Sequence, residues 1–287
     1  MEIIDGKEVA QEVKDELTRK VKEMETTPKL VAVLMSDDPA SETYVRMKRK
    51  ACDEVGIKSE TIRIDADGSE SELLSTIERL NEDDSVNGFI VQLPLPDHIS
   101  EERALKSVSP VKDVDGFHPE NKGLLMEGKE RFVPATPAGI QRLLVSSGNP
   151  PEGNNVVILG RSNIVGKPLA NLLMQKKENA NATVTVCHSN TRDLKEHTKR
   201  ADILVASVGV PRFVTSDMVS EGVVVIDVGI NRVDADNEKG YELVGDVDFG
   251  PVSRKAEAMT PVPGGVGPMT VAMLLSNTVK ATELQKS

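Results

Sequence analysis

The sequence predicts an α/β chain of two domains. Each holds a mostly parallel sheet flanked by helices, and the C-terminal domain is Rossmann-like. Three observations lead there. Short, apolar, β-branched runs recur between stretches of helical spacing, as parallel strands buried on both faces require. Residues 154–169 read as strand, glycine turn and helix, the opening of a βαβ unit. The 287 residues suffice for two domains, and a loop-rich stretch at 117–153 offers a boundary.

Composition narrows the class. Hydrophobic residues make up 38% and charged residues 28%, as in a soluble globular protein. Aromatics are only 2% and Trp is absent, so the core must be aliphatic. A formal net charge of -11 argues against sequence-independent nucleic-acid binding, which needs clustered Lys and Arg. Cys52 and Cys187 are too few for a disulfide framework and lack metal-type spacing, so no metal is expected and two reduced thiols in the cytoplasm are. The charged start shows no signal peptide. No apolar run approaches the roughly 20 residues of a membrane helix.

Taken in order, Val9, Val13, Leu17 and Val21 recur every four residues and predict an amphipathic helix over 6–25. Residues 30–35 read as a buried strand. A helix over 39–54 is stopped by Gly56. Residues 57–64 alternate as a strand. Ser69 caps a helix to residue 81. Residues 88–93 form another strand, broken by Pro94 and Pro96, and 100–108 a short helix. Residues 117–137 read as loop and 138–147 as a connecting helix.

Three groups in this first part carry possible chemistry. Tyr44 and Lys48 share a helix face. Gln92 ends a buried strand, where α/β proteins place ligands. Asp113 and Asp115 lie in a turn-rich segment. A phenol, an amine, an amide and a carboxylate suit a polar planar substrate. The plainer alternatives are a solvated helix face, an amide satisfying loop backbone and a common Asp-Gly turn.

In the second part, residues 156–159 form a strand ended by Gly160, and helical spacing appears at Leu169, Leu172 and Leu173. Exposed N–H groups and the dipole at that helix start suit an anion. The spacing is unusual: five residues separate Gly160 from Gly166. That fits neither the dinucleotide fingerprint nor a P-loop, and Pro168 stands where a P-loop has its hydroxyl. The next strand, 182–187, ends in His188, Ser189, Asn190, Thr191 and Arg192, with no carboxylate for a ribose 2′-hydroxyl. A hydroxyl and an arginine there, with Arg161 as a second cation, favour NADP over NAD. The alternative is a polar loop in which Thr191 caps the following helix. Strands at 201–206 and 223–228 follow, with a turn through Val208 and Gly209 after the first and Ile230 after the second. A short edge strand covers 241–246. Residues 260–270 form a Gly/Pro-rich loop containing Gly264, Gly265 and Pro268. The final helix, from 268, packs back on the first domain. The domains predicted are 1–137 with 268–287, and 138–267.

Five segments bring a resemblance into view. They are Tyr44-Val45-Arg46-Met47-Lys48, Val91-Gln92-Leu93-Pro94-Leu95-Pro96, Lys112-Asp113-Val114-Asp115-Gly116, Gly160-Arg161-Ser162-Asn163-Ile164-Val165-Gly166-Lys167-Pro168 and Pro263-Gly264-Gly265-Val266-Gly267-Pro268-Met269-Thr270. In this order they resemble, over essentially the full length, the bifunctional methylenetetrahydrofolate dehydrogenase/cyclohydrolase family. One departure is Ala135, where the family usually has Cys.

The resemblance implies two reactions in a cleft between the domains. One is NADP-dependent oxidation of 5,10-methylene-tetrahydrofolate to the 5,10-methenyl form. The other is hydrolysis of that product to 10-formyl-tetrahydrofolate, within one-carbon metabolism and purine biosynthesis. It implies Lys48, Gln92 and Asp115 as catalytic residues. Tyr44, Gly264, Gly265 and Pro268 join them against the folate. Gly160, Arg161, Ser162, Ile164, Gly166, His188, Ser189, Arg192, Val208, Gly209 and Ile230 are implied to hold NADP. It also implies a cytoplasmic homodimer that binds neither membrane nor nucleic acid. Two rivals from other classes are a non-catalytic nucleotide-binding regulator and a P-loop phosphotransferase, the latter disfavoured by the Gly160–Gly166 gap.

Overall fold

The structure, a computed structural model, describes residues 1–237 and 240–285. A two-residue strand, β1 (Glu2–Ile3), leads into α1 (Gly6–Glu23). Val13, Leu17 and Val21 are buried along α1, because the four-residue repeat keeps them on one stripe. Then β2 (Lys29–Leu34), α2 (Pro39–Val55), β3 (Lys58–Arg63), α3 (Glu70–Glu82) and β4 (Gly88–Val91) alternate. Pro39 suits the first turn of α2, where its missing N–H leaves no bond unmade. Asp38 caps that turn, accepting from the amides of Ala40 and Ser41, each at 3.1 Å. The helix ends where Gly56 turns left-handed at φ 82°. Ser69 caps α3 through the Glu72 amide. Three further helices follow: α4 (Glu101–Ser107), α5 (Pro119–Met126) and α6 (Ala135–Ser146).

The βαβ opening is β5 (Asn155–Leu159), α7 (Gly166–Leu173) and β6 (Thr183–Cys187). After it come α8 (Leu194–Thr198), β7 (Ile203–Ala206) and β8 (Val224–Asp227). An antiparallel hairpin pairs β9 (Asn231–Asp234) with β10 (Tyr241–Val244). The chain ends with α9 (Phe249–Ser253), β11 (Ala258–Met259) and the long α10 (Val266–Leu284).

The chain divides into two compact units, residues 1–10 with 136–270, and residues 11–135 with 271–287. The second-named unit is built on a parallel sheet in the order β3-β2-β4. Val31, Val33, Leu73, Ile77 and Phe89 belong to its hydrophobic core, which is aliphatic apart from Phe89. Asn277 on α10 belongs to the same unit and donates to the carbonyls of Val114 (2.8 Å) and Val133 (2.9 Å). The other unit carries a six-stranded, all-parallel sheet in the order β1-β11-β8-β7-β5-β6. Its core includes Val157, Leu159, Leu204, Val225 and Met259.

Several expectations need correction. Residues 1–10 group with residues 136–270, whereas the sequence reading places them in the first domain. Glu2 and Ile3 add to the sheet beside Ala258 and Met259, and Gly6 packs so tightly that a Cβ there would lie 1.7 Å from the Gly265 carbonyl oxygen. Two residues of strand carry no periodicity to read. Residues 119–126, read as loop, form α5, opened by Pro119 and capped by His118. The strand at 241–246 pairs with β9, which the sequence reading omitted, as it omitted β11 and α9. Thr191 does not cap α8. Its hydroxyl accepts the His188 amide at 2.8 Å, and α8 starts after Asp193 at φ 49°.

Candidate active site

In the unit of residues 11–135 and 271–287, α2 places Tyr44 and Lys48 one turn apart. The Lys48 ammonium donates to Gln92 Oε1 at 3.0 Å. Gln92 stands just past β4, its amide bonded to the Val33 carbonyl. Its Nε2 donates to the Leu93 carbonyl at 2.7 Å, so the oxygen is the end left for Lys48. The Leu93–Pro94 bond that follows is cis. Asp115 is half-buried and interacts with Lys48 through charge.

Burial dominates the electrostatics. It pulls the Lys48 amine below its ordinary value, against the opposing charge of Asp115. It pushes the Asp115 carboxyl up to about 6, an effect Lys48 reduces and Asp113 reinforces. The Tyr44 phenol is raised by burial and stays protonated at neutral pH. An amine eased toward neutrality, beside an amide oxygen and a carboxylate, can take up and return a proton.

Asp113 and Asp115, equivalent in sequence, part company here. Asp113 is buried, and its oxygens accept from the Phe117 amide (3.1 Å), the His118 amide (2.8 Å) and Asn121 Nδ2 (2.8 Å). It builds the turn that presents Asp115. Two further contributors were invisible in sequence. Cys52, one turn beyond Lys48 on α2, is fully buried with its thiol pushed up to about 12, so it adds neutral, apolar surroundings near the amine. Asn277 ties down Val114, the residue before Asp115. The i+4 spacing from Lys48 was a faint signal for Cys52, and nothing local marked Asn277.

The other unit contains the β5–α7 turn. Gly160 sits at φ 112°, and a Cβ there would lie 2.0 Å from the Ser207 carbonyl oxygen. A Cβ at Gly166 would lie 2.2 Å from the Gly160 carbonyl oxygen. Both residues must therefore be glycine for α7 to close onto the strand end. The anion-binding expectation shifts in detail. Ser162 Oγ accepts the Val165 and Gly166 amides, at 3.1 and 3.4 Å, and the Ser162 carbonyl takes the Lys167 amide. The start of α7 is thus largely capped from within. Among the described residues the amides of 161–164 meet no acceptor, so the loop ahead of the helix carries the open donors. Arg161 and Ser162 are exposed there, Ile164 is half-buried, and Lys167 reaches Asn163 Oδ1 at 2.7 Å.

At the end of β6, His188 is half-buried, while Ser189 and Arg192 are exposed. His188 Nδ1 accepts the Asn190 amide, which closes the turn. No carboxylate follows β6 until Asp193, so donors dominate, as a 2′-phosphate requires. Val208 and Gly209 follow β7, and Ile230, exposed, follows β8. Gly264 and Gly265 are buried in the loop before α10, and Pro268 lies in its first turn.

Two family models match the chain. Residues 4–115 match the tetrahydrofolate dehydrogenase/cyclohydrolase catalytic domain, and residues 134–286 match the NAD(P)-binding domain of the same family. The chain belongs to the tetrahydrofolate dehydrogenase/cyclohydrolase family. The bifunctional protein FolD 1 of Haloarcula marismortui is 58% identical, with 99% of this chain and 97% of that protein covered. Among solved structures, the bifunctional FolD dehydrogenase/cyclohydrolase of Campylobacter jejuni is 49% identical at a TM-score of 0.93, covering 99% of both chains. The Trypanosoma brucei enzyme, complexed with NADP cofactor and inhibitor, is 39% identical at a TM-score of 0.92, covering 98% of this chain and 97% of that one. Ala135, the one departure, is buried at the start of α6.

Proposed function

We infer that this member of the family oxidises 5,10-methylene-tetrahydrofolate to 5,10-methenyl-tetrahydrofolate with NADP and hydrolyses that product to 10-formyl-tetrahydrofolate. The observation that carries the reading is the Lys48–Gln92–Asp115 group, an amine lowered by burial and held 3.0 Å from an amide oxygen. The unit of residues 11–135 and 271–287 is the folate-binding catalytic part, and the other binds NADP.

NADP supplies the hydride acceptor for the first reaction. The chain's task there is positioning, because the product is a resonance-stabilised cation and needs no strong acid or base. Arg161, Ser162, Ser189 and Arg192 hold the phosphates. Gly160, Ile164, Gly166, His188, Val208, Gly209 and Ile230 shape the remaining surface. In the second reaction water adds to the methenyl carbon, and Lys48 Nζ accepts its proton. The carbon–nitrogen bond of the ring then breaks, Lys48 returns that proton to the departing nitrogen, and the carbinol hydroxyl gives up its own proton to solvent as the formyl carbonyl forms. Gln92 orients the amine. Asp115 accepts charge-assisted hydrogen bonds from the pterin N–H edge, and Tyr44 stacks on the folate rings. A cytoplasmic homodimer serving purine biosynthesis is the setting we propose.

The test is the absorbance of purified protein with 5,10-methylene-tetrahydrofolate and NADP, following reduced cofactor and methenyl product together. Reduced cofactor with methenyl that stays low and decays supports both activities, whereas methenyl that persists as it does without protein removes the hydrolase. Lys48→Met, which keeps the stem and loses the amine, should abolish hydrolysis in a folded protein. Unchanged hydrolysis of added methenyl substrate sinks the role of Lys48.

A further inference from the structure

Two buried carboxylates lie outside every motif that carried the family resemblance. Asp227 ends β8 and Asp246 follows β10, at 2% and 0% exposure. Their two carboxyl groups do not bond each other. Asp227 Oδ1 accepts the amides of Gly229 (3.1 Å) and Asp246 (2.9 Å), and its Oδ2 accepts the Val247 amide (3.0 Å). Asp246 Oδ2 accepts the amides of Val208 (2.6 Å) and Gly209 (2.9 Å), and its Oδ1 accepts Asn231 Nδ2 (2.9 Å). The backbone is drawn in around them. A Cβ at Gly245 would lie 1.8 Å from Asp227 Oδ2, and one at Gly229 would lie 2.2 Å from Asp246 Oδ1.

Burying two like charges is costly, and an apolar pair of similar volume would serve stability as well or better. What the pair does instead is set backbone direction. A trans peptide points its carbonyl opposite its N–H. With the Val208 and Gly209 amides turned onto Asp246, the Ser207 and Val208 carbonyls face the other way. The Ser207 carbonyl is the group that packs against Gly160. Asp246 thereby links the turn after β7, the Gly160 turn after β5 and, through Asn231, the segment carrying Ile230.

We propose that Asp246, supported by Asp227, is a positioning residue for NADP. It registers the 207–209 turn against Gly160 and against Ile230–Asn231, so that three cofactor-holding segments share one geometry. The proposal rests on the reading that Gly160, Val208, Gly209 and Ile230 line the cofactor site.

The two activities give an internal control, because hydrolysis of methenyl-tetrahydrofolate consumes no NADP. Asp246→Ala leaves the part-buried amides of Val208 and Gly209 without their acceptor and frees the turn they hold, and the KM for NADP should rise at least about tenfold. The kcat for hydrolysis should stay within about twofold, a change below 0.5 kcal/mol. Asp246→Asn should rescue. Its amide oxygen can take both N–H groups while its NH2 faces a turned-over Asn231 amide. A merely structural role would lower both activities together, and that result overturns the proposal, as does an unchanged KM in Asp246→Ala. If Asp246→Ala fails to fold, Asn231→Ala decides. It should show the same split at smaller size, and no split overturns the proposal. The cofactor reading has its own control. Gly160→Ala with an unchanged KM for NADP defeats that reading, whereas Gly160→Ala raising it while Asp246→Ala does not defeats this inference alone.

Discussion

Asp113 and Asp115 differ by where their oxygens are committed. Three N–H donors occupy Asp113, which leaves Asp115 for a ligand. Burial holds the Asp115 carboxyl up at about 6, so hydrolysis should decline as pH falls through about 6, where Asp115 takes up a proton and ceases to be a charged acceptor. Asp115→Asn should begin at the low plateau, with weaker folate binding, and show no such limb between pH 5 and pH 7. A surviving acid limb in the variant would assign it to another group. The residue types of this site were legible in sequence. Spacing alone did not separate the two aspartates and only the family resemblance pointed to Asp115, because what occupies Asp113 is the loop amides of Phe117 and His118, whose directions no residue pattern encodes.

The β5–α7 turn shows what an element contributes. Strand and helix follow from the apolar run 156–159 and the spacing of Leu169, Leu172 and Leu173, and both were readable. The turn between them depends on two close approaches, Gly160 on Ser207 and Gly166 on Gly160. Gly160→Ala should destabilise the fold by more than the roughly 1 kcal/mol of an ordinary glycine substitution, because the added carbon meets a carbonyl oxygen. It should also raise the KM for NADP, and a variant that melts as the wild type does would contradict the predicted loss of stability. Ser162 is the instructive miss at this scale. The order strand, turn, helix suggested an open helix start, yet the Ser162 hydroxyl accepts the Val165 and Gly166 amides there and leaves the open amides at 161–164. Short elements were missed for a related reason. α5 and β11 hold too few residues to display a period.

For the molecule as a whole, titration sets a direction for stability. Asp115 and Asp227 are both raised to about 6, from 3.8. Between those values the folded state binds more protons than the unfolded one, so stability rises as pH falls from 7 toward 5. Relief of the net charge of -11 acts the same way. Carboxylates lowered by partners, such as Glu54 by Lys14, lose their contribution only as pH falls further, below the ordinary carboxylate value. The melting temperature should therefore be higher at pH 5.5 than at pH 7.5, and a steady fall over that interval would contradict the assignment of both groups.

The sequence by itself determined the α/β alternation, most helix limits, the caps at Ser69 and Gly56, the family and the list of candidate residues. Each rests on spacing or motif within a few tens of residues. Tertiary structure decided that Glu2 and Ile3 join the sheet beside β11, that Asn277 steadies the chain before Asp115, and that Asp246 gathers the turns after β5, β7 and β8. Those outcomes come from hydrogen bonds and close approaches between segments far apart in the chain, and local periodicity carries no record of them.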